Sequence, residues 1–414
     1  MRPGLLGGLS PRAFLRRHWQ KRPLLVRGAL PAFRDPVTPE GLLALAARGD
    51  VESRLVMERG GARPWQVVPG PLTPARRRRL PPSHWTVLVQ HVDAHVDAAA
   101  DLVEEFDFLP RWRVDDVMVS LAAPRGSVGP HVDGYDVFLV QGRGRRRWRI
   151  AGRFAETYRP RLDLRVLRGF RAEHEWVLEA GDLLYLPPGV AHHGVALEQC
   201  LTYSVGFRAP GHAELAAGFL QRVVTGVDQA RLYADPDLAP ARAPGEIAPG
   251  AIVRMRAIVS AATAAVRGPE FTRFLGERLT EPRTEMGTPS GRRRTTAAEV
   301  ARRLRGGASL VRRPGARIGF VARGDGGADL FADGRTWTLA RAEAPAAGIL
   351  SGARRLSADA LRPLRARPAF ATLLAELVRA GVFRVSRSRK DDARPRRRRR
   401  SRAAAGSSRT RARP

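Results

Sequence analysis

Residues suited to metal chemistry lie in two stretches of the sequence, residues 129–150 and residues 181–194. The first stretch reads as a loop that carries a His-x-Asp pair, His131 and Asp133, followed by an apolar strand, a Gly-x-Gly turn and a second strand. The other reads as an apolar strand and a Pro-Pro-Gly turn that lead to His192. Two histidines and one carboxylate on barrel strands form a facial triad, which suits non-haem Fe(II) and leaves coordination positions open for oxygen and a co-substrate.

The spacing does not determine which histidine is the third metal ligand. His193 follows His192 directly, and a one-residue shift in a loop changes which imidazole reaches a metal ion. From the residues alone, either histidine completes the triad.

An inward-facing arginine is predicted on the second strand of residues 129–150. Side chains alternate along a strand, so Arg146 shares its face with Trp148 and Ile150. The other arginines of the strand point the opposite way. A guanidinium among apolar residues needs an anionic partner, and the carboxylate of a small molecule, held bidentately, would serve.

A second polar face is predicted on the strand of residues 112–122. Asp116, Met118 and Ser120 share one face of this strand. A carboxylate in line with methionine and serine fits a pocket that accepts a guanidinium and has an apolar wall for its stem. The alternative is that Asp116 caps the entry of the strand or pairs with one of the many arginines.

The surrounding elements can be predicted from hydrophobic periodicity. Two further His-x-Asp pairs, at residues 91–93 and 95–97, fall in an apolar pattern that continues to Leu102 and indicates an ordinary amphipathic helix rather than a metal site. From residue 212 the pattern becomes helical, and residues 296–385 read as a helix, strands and helices. Asp333 and Gly334 predict a hairpin turn there.

The overall charge is strongly positive and almost wholly due to arginine. The formal net charge of the 414 residues is +32, and lysine occurs only at Lys21 and Lys390. Such a charge is typical of contact with nucleic acid, but the arginines are scattered through every segment, which favours a compositional bias. Because there is a single cysteine, Cys200, and no visible secretory signal or membrane span, we predict a cytoplasmic protein.

Four motifs resemble those of a known family. They are residues 112–118 (Trp-Arg-Val-Asp-Asp-Val-Met), 129–149, 181–194 and 203–210 (Tyr-Ser-Val-Gly-Phe-Arg-Ala-Pro). They are similar to signatures of the bacterial ribosomal oxygenases of the Jumonji (JmjC) type, which depend on 2-oxoglutarate, and the resemblance extends to about Val385.

The resemblance implies an α+β fold in several parts. Residues 1–211 would form a double-stranded β-helix, a cupin-like jelly-roll barrel. Residues 212–290 would form a helical dimerisation domain, so that the protein is a homodimer, and residues 295–385 a winged-helix-like domain. Residues 386–414 lie beyond the resemblance. This arginine-rich tail contains almost no apolar residue, which predicts disorder. Its charge would let it tether the protein to ribosomal RNA.

The resemblance also implies roles for the metal and co-substrate residues. His131, Asp133 and His192 would hold Fe(II), with His192 selected as the third residue after Pro-Pro-Gly. The keto-acid end of 2-oxoglutarate would chelate the iron, its far carboxylate would meet Arg146 and Ser120, and O2 would take the last position. A second serine of the family pattern is Ala122 here, so one hydrogen-bond donor is missing.

The substrate implied is an arginine side chain of the large-subunit ribosomal protein uL16. Its guanidinium would lie on Asp116 and Ser204, and its stem between Tyr135 and Met118. Two of these positions also have structural explanations, since Tyr135 could be a rim aromatic of the barrel and Ser204 could bond to the backbone.

Two other functions stay open from the sequence. One is the same chemistry on a histidine or a methylated lysine of another protein, because Asp116 favours a cation without separating arginine from lysine. The other is a cupin-like adaptor that binds the ribosome or RNA without turnover. The triad and the inward Arg146 argue against an adaptor, and binding of 2-oxoglutarate with iron would separate the two classes.

Overall fold

The computed structural model describes residues 4–60, 64–240, 243–283, 295–364 and 367–386. The strands of the first half are β1 (Leu24–Val26), β2 (Ser53–Glu58), β3 (Trp65–Pro69), β4 (Trp85–Val89), β5 (Val114–Ala122), β6 (His131–Val132), β7 (Asp136–Gln141), β8 (Arg146–Ala151), β9 (His174–Leu178), β10 (Leu183–Leu186), β11 (Ala191–Ala196) and β12 (Cys200–Phe207). The helices among them are α1 (Pro11–Arg17), α2 (Pro39–Ala46), α3 (Pro74–Arg78), α4 (Val92–His95) and α5 (Asp97–Val103).

Two antiparallel sheets pack face to face in this half. The larger sheet has the order β1-β10-β7-β12-β5-β4-β2-β3, and the smaller has the order β6-β11-β8-β9. Strands β5 to β8 alternate between the two sheets, and so do β9 to β12. This alternation is the predicted double-stranded β-helix. An apolar layer lies between the sheets and includes Leu139 of β7 with Trp148 and Ile150 of β8.

Helices cover the outer face of the larger sheet. Val117, Val119 and Leu121 of β5 belong to a core that also contains Phe14 of α1 and Leu42 of α2. The period of two along a strand places the alternate side chains of β5 on the interior side of the sandwich. These interior side chains are Asp116, Met118 and Ser120.

The second half contains helices and two small sheets. Its elements are α6 (His212–Gly226), α7 (Pro249–Thr263), α8 (Pro269–Thr280), α9 (Ala297–Arg305), β13 (Leu310–Arg312), β14 (Ile318–Ala322), β15 (Ala328–Ala332), β16 (Arg335–Leu339), α10 (Pro345–Gly352), β17 (Arg355–Leu356), α11 (Pro368–Arg379) and β18 (Phe383–Val385). The sheets have the orders β17-β13-β18 and β14-β15-β16 and share a core with α9 to α11. The predicted hairpin at Asp333 and Gly334 joins β15 to β16. The domain boundaries themselves stay predictions, and the arginine-rich tail beyond Ser386 lies outside the described residues.

Two arginines of the second half, Arg317 and Arg354, bind it to the barrel. Arg317 donates to the main-chain oxygens of Val114, at 2.6 Å, and of Trp112, at 3.1 Å, where β5 begins. Arg354 forms ion pairs with Asp97 and Asp101 of α5. The contacts of Arg317 hold the start of β5, the strand that supplies the interior polar face.

The predicted helix over the two extra His-x-Asp pairs is wrong in one respect. It is divided into α4 and α5 by Val96, whose backbone is extended (φ −123°, ψ 117°). The carboxylate of Asp93 accepts a hydrogen bond from the N–H of Val117 at 2.8 Å and so ties α4 to β5. This tertiary contact overrides the local helical pattern.

Helix α7 exposes apolar side chains. With the turn that follows, the 19-residue segment Pro249–Arg267 has a mean hydropathy of 1.2 and no buried residue. Its length and composition alone would allow it to cross a membrane, which is weak evidence for a span. Our expectation that the chain has no membrane span therefore stays a prediction.

Candidate metal centre and adjoining pocket

Three potential metal ligands converge inside the sandwich. His131 of β6 lies directly opposite His192 of β11 in the antiparallel pairing, and Asp133 follows β6. The Oδ2 atom of Asp133 lies 4.0 Å from Nε2 of His131 and 3.5 Å from Nε2 of His192. The ligand atoms of all three residues lie within 4.8 Å of one another. They form the two-histidine, one-carboxylate set that suits Fe(II).

Backbone carbonyls orient both imidazoles. Nδ1 of His131 lies 2.9 Å from the oxygen of Gly129, and Nδ1 of His192 lies 3.0 Å from the oxygen of Val190. An imidazole that donates its Nδ1 proton to a carbonyl keeps a lone pair on Nε2, the nitrogen that faces the other ligands. Burial lowers the pKa of His192 to about 4, so its ring is neutral at physiological pH, as a metal ligand must be.

His193, which follows His192, does not lie among the three potential metal ligands. His193 points to the other side of β11, and its Nε2 lies 2.9 Å from Oγ of Ser127. That same oxygen accepts a hydrogen bond from the N–H of Gly129 at 3.0 Å. The structure therefore groups His192, and not His193, with His131 and Asp133.

Arg146 is a buried cation without an acidic partner among the described residues. Its side chain faces inward, as the strand alternation predicted, and the residue is 5% exposed. The Nη1 atom donates to Oγ of Ser120 at 3.0 Å and to Oγ1 of Thr202 at 3.2 Å, while Nε has no partner. Burial lowers the pKa of this guanidinium. An anionic ligand would stabilise it.

One cavity joins the triad to this arginine. It has a volume of about 300 Å³ and is lined by residues from both sheets. All of the site residues singled out in the sequence line it: Asp116, Met118, Ser120, His131, Asp133, Tyr135, Arg146, His192 and Ser204.

Asp116 is a half-buried carboxylate in the wall of this cavity. Its Oδ2 atom accepts a hydrogen bond from the N–H of His91 at 3.0 Å. Burial, and next the nearby Asp93, raise the pKa of Asp116 to about 7. The segment that carries His91 and Asp93 is therefore part of the support of the pocket, which the helical pattern alone did not indicate.

Several other polar residues in or beside the pocket were not predicted from the sequence. Arg54 and Thr86 line the cavity, and Thr202 of β12 lies opposite Ser120 of β5 and accepts a hydrogen bond from Arg146. The alternation of side chains along β12 would have predicted that Thr202 faces inward, because Thr202 shares a face of the strand with Ser204. No local pattern distinguished Arg54 or Thr86.

Comparisons with known proteins agree with this geometry. The chain matches the JmjC domain over residues 101–215 and the ROXA-like winged helix over residues 269–384. The ribosomal protein uL16 3-hydroxylase of Escherichia coli is 36% identical over 370 residues, which cover 89% of this chain and 95% of that protein. This chain belongs to the JmjC ribosomal oxygenases.

Two further comparisons with ribosomal oxygenases support the same assignment. A probable ribosomal oxygenase of Haemophilus influenzae is 37% identical over 56% of this chain and 55% of its own length. The structure of the Escherichia coli ribosomal oxygenase YcfD in complex with cobalt and 2-oxoglutarate has a TM-score of 0.76 to this chain at 35% identity. The matched region covers 91% of this chain and 98% of the YcfD chain. The predicted combination of a JmjC barrel and a winged helix is confirmed.

Proposed function

We propose that this chain is an Fe(II)- and 2-oxoglutarate-dependent hydroxylase that acts on an arginine side chain of ribosomal protein uL16. The observation that carries the proposal is a single cavity that holds a His-Asp-His triad, the cation Arg146, which has no acidic partner among the described residues, and the half-buried carboxylate of Asp116. The name of the Escherichia coli relative, a uL16 3-hydroxylase, and the binding of cobalt and 2-oxoglutarate by YcfD point the same way.

His131, Asp133 and His192 would hold the metal on one side and leave its other side open to the cavity. When bound, the iron and 2-oxoglutarate supply the oxidising chemistry, in which O2 is consumed, 2-oxoglutarate is decarboxylated to succinate and a substrate C–H bond gains one oxygen atom. Arg146 would neutralise the far carboxylate of 2-oxoglutarate, and Ser120 would donate a hydrogen bond to it. These two residues thus orient the co-substrate toward the metal.

The other polar residues of the cavity suit a cationic substrate. Asp116 and Ser204 would accept hydrogen bonds from a guanidinium, and Tyr135 and Met118 would enclose its aliphatic stem. Burial raises the pKa of Tyr135, so its phenol keeps its proton. These roles favour a long basic side chain over a neutral one.

We expect substrate binding to improve as the pH rises through 7. The pKa of Asp116 is raised to about 7, so the carboxylate is mostly protonated at pH 6 and mostly ionised at pH 8. Since a guanidinium binds the ionised form, KM for a uL16 substrate should fall about tenfold between these pH values. Steady-state kinetics of the wild type and of Asp116→Asn would test this.

Two controls belong to this experiment. Asp116→Asn should bind the substrate weakly at all pH values and show no such pH dependence, and the affinity for 2-oxoglutarate should be the same in both proteins. A wild-type KM that stays constant from pH 6 to 8 would contradict the role of Asp116. The contribution of Asp116 to protein stability has the opposite pH dependence. Between pH 4 and 7 the folded state binds more protons than the unfolded state, so the contribution of Asp116 to the free energy of unfolding falls as the pH rises.

The test of the function itself is a mass-shift assay on uL16 from the same organism. The enzyme receives Fe(II) and 2-oxoglutarate without oxygen, and then O2. A gain of one oxygen atom on an arginine is expected. Consumption of 2-oxoglutarate with unmodified uL16 would overturn the substrate and direct the search to a histidine or methylated lysine elsewhere, whereas failure to bind metal would leave only the adaptor function.

We further propose that the protein is a homodimer that works in the cytoplasm. The support for the dimer is helix α7, where Ile252, Met255 and Val259 lie within one side of the helix and are 45%, 48% and 63% exposed. Apolar side chains in such a row are typical of a subunit interface. Contact with ribosomal RNA through the tail beyond Ser386 stays a prediction from the sequence.

The double variant Ile252→Glu/Val259→Glu should convert the dimer to a monomer, because two buried charges at the interface would lack partners. Size-exclusion chromatography with light scattering would measure the mass. The control is Arg77→Glu on α3, an exposed charge change that should leave the mass unchanged. A wild-type monomer, or a wild type that floats with lipid vesicles, would contradict the dimer.

A further inference from the structure

Thr86 of β4 carries a buried hydroxyl with no evident structural use. The residue is 0% exposed, and its Oγ1 atom has no hydrogen-bond partner in the described part of the chain. Buried hydroxyls are nearly always hydrogen-bonded. A valine would fill the same space without this cost, so the hydroxyl calls for an explanation.

The strand register places Thr86 on the same face of the larger sheet as Ser120, which bonds to Arg146. In the β4–β5 pairing, Thr86 lies opposite Ala122 and Leu88 lies opposite Ser120. Because directly opposite residues share a face of the sheet, Thr86 points to the interior side, where Ser120 bonds to Arg146. All three polar residues line the same cavity.

The hydrogen-bond pattern leaves a set of donors facing that cavity. Thr202 uses its proton on Oε1 of Gln141, at 3.2 Å, so it has none for a ligand. Ser120 accepts from Arg146 and keeps its own proton, Thr86 keeps its proton, and Nε of Arg146 is unpartnered. Ala122, opposite Thr86, contributes only a methyl group. This set of donors matches a carboxylate, which has several acceptor sites and no proton to give.

We propose that Thr86 donates its hydroxyl proton to the far carboxylate of 2-oxoglutarate, beside Arg146 and Ser120. The inference rests on the proposed function, because it assigns a further positioning residue to the same co-substrate. It explains why a buried hydroxyl faces a cavity that already contains an unpaired guanidinium.

The test compares Thr86→Val, which removes the hydroxyl at constant shape, with Thr86→Ser, which keeps it. The full chain is loaded with Mn(II) in place of iron, and calorimetry measures the Kd for 2-oxoglutarate and for 2-oxobutyrate, which lacks the far carboxylate. Thr86→Val should bind 2-oxoglutarate about tenfold more weakly, as expected for one hydrogen bond to a charged acceptor. Its Kd for 2-oxobutyrate should equal that of the wild type, and Thr86→Ser should resemble the wild type with both ligands.

A second substitution should restore the affinity for 2-oxoglutarate that Thr86→Val loses. Ala122→Ser places a hydroxyl directly across the strand pair, so adding it to Thr86→Val should recover most of the lost affinity. The melting temperature of ligand-free Thr86→Val should equal or exceed that of the wild type, because no hydrogen bond within the protein is lost. If that variant does not fold, Thr86→Ala against Thr86→Ser gives the same contrast.

Two outcomes would overturn the inference. One is an unchanged Kd of Thr86→Val for 2-oxoglutarate, and the other is an equal loss for both ligands, which would indicate a packing effect on the metal site. A wild type that binds Mn(II) but no 2-oxoglutarate would instead overturn the proposed function. The two failures are therefore distinguishable.

Discussion

His192→Ala is expected to lose both metal binding and hydroxylation. His192 lies 3.5 Å from Asp133 and directly opposite His131, so its removal leaves two ligands on a solvent-accessible ion. Loss of a partner outside the coordination sphere typically costs 10- to 100-fold in metal affinity, and loss of a ligand should cost at least about 100-fold. Titration calorimetry with Mn(II) and the uL16 mass-shift assay would measure the two effects.

The matched control is the adjacent His193→Ala. This variant removes a hydrogen bond to Ser127 and a ring contact with Phe170, both of which lie outside the group of metal ligands. We expect its metal affinity to fall by no more than about tenfold. The reverse pattern, with His193→Ala inactive and His192→Ala able to bind metal, would contradict the ligand assignment.

Arg146→Met is expected to weaken the binding of 2-oxoglutarate strongly while leaving the empty protein at least as stable as the wild type. A desolvated charge pair loses about 3 kcal/mol when one partner is truncated, which corresponds to a Kd for 2-oxoglutarate about 100-fold higher. Without the co-substrate, the guanidinium is buried with no described acidic partner, so an apolar replacement removes an unfavourable burial. Melting curves of the Mn(II)-loaded protein with and without 2-oxoglutarate would show both effects.

Arg149→Met is the control for this experiment. Arg149 lies on the same strand but on the opposite face, where it pairs with Glu175 at 2.6 Å. The Arg149→Met protein should bind 2-oxoglutarate with the affinity of the wild type and should be stabilised by this ligand to the same extent. An Arg146→Met protein that is stabilised by 2-oxoglutarate as strongly as the wild type would refute the role of Arg146.

Much of the site could be predicted from the sequence because strand alternation is a local property. The period of two placed Arg146 on the inner face of β8 and Asp116, Met118 and Ser120 on the inner face of β5, and the structure has them there. The family resemblance added what periodicity cannot supply, namely the identity of the co-substrate. The division between α4 and α5 could not be predicted in this way. The residues there have a helical pattern, and the contact between Asp93 and Val117 joins two segments that are far apart in that pattern.

The sequence by itself determined which residue types face inward on each strand and that two histidines, a carboxylate and an arginine are available for metal and co-substrate. Only the tertiary structure decided that His192 lies opposite His131 while His193 bonds to Ser127, that Ser120 and Thr202 both bond to Arg146 while Thr86 lines the same cavity as Arg146, and that Asp116 is desolvated enough to raise its pKa to about 7. The physical reason is that these features depend on the register between strands far apart in the chain. That register is set by the packing of the whole core, and no local periodicity specifies it.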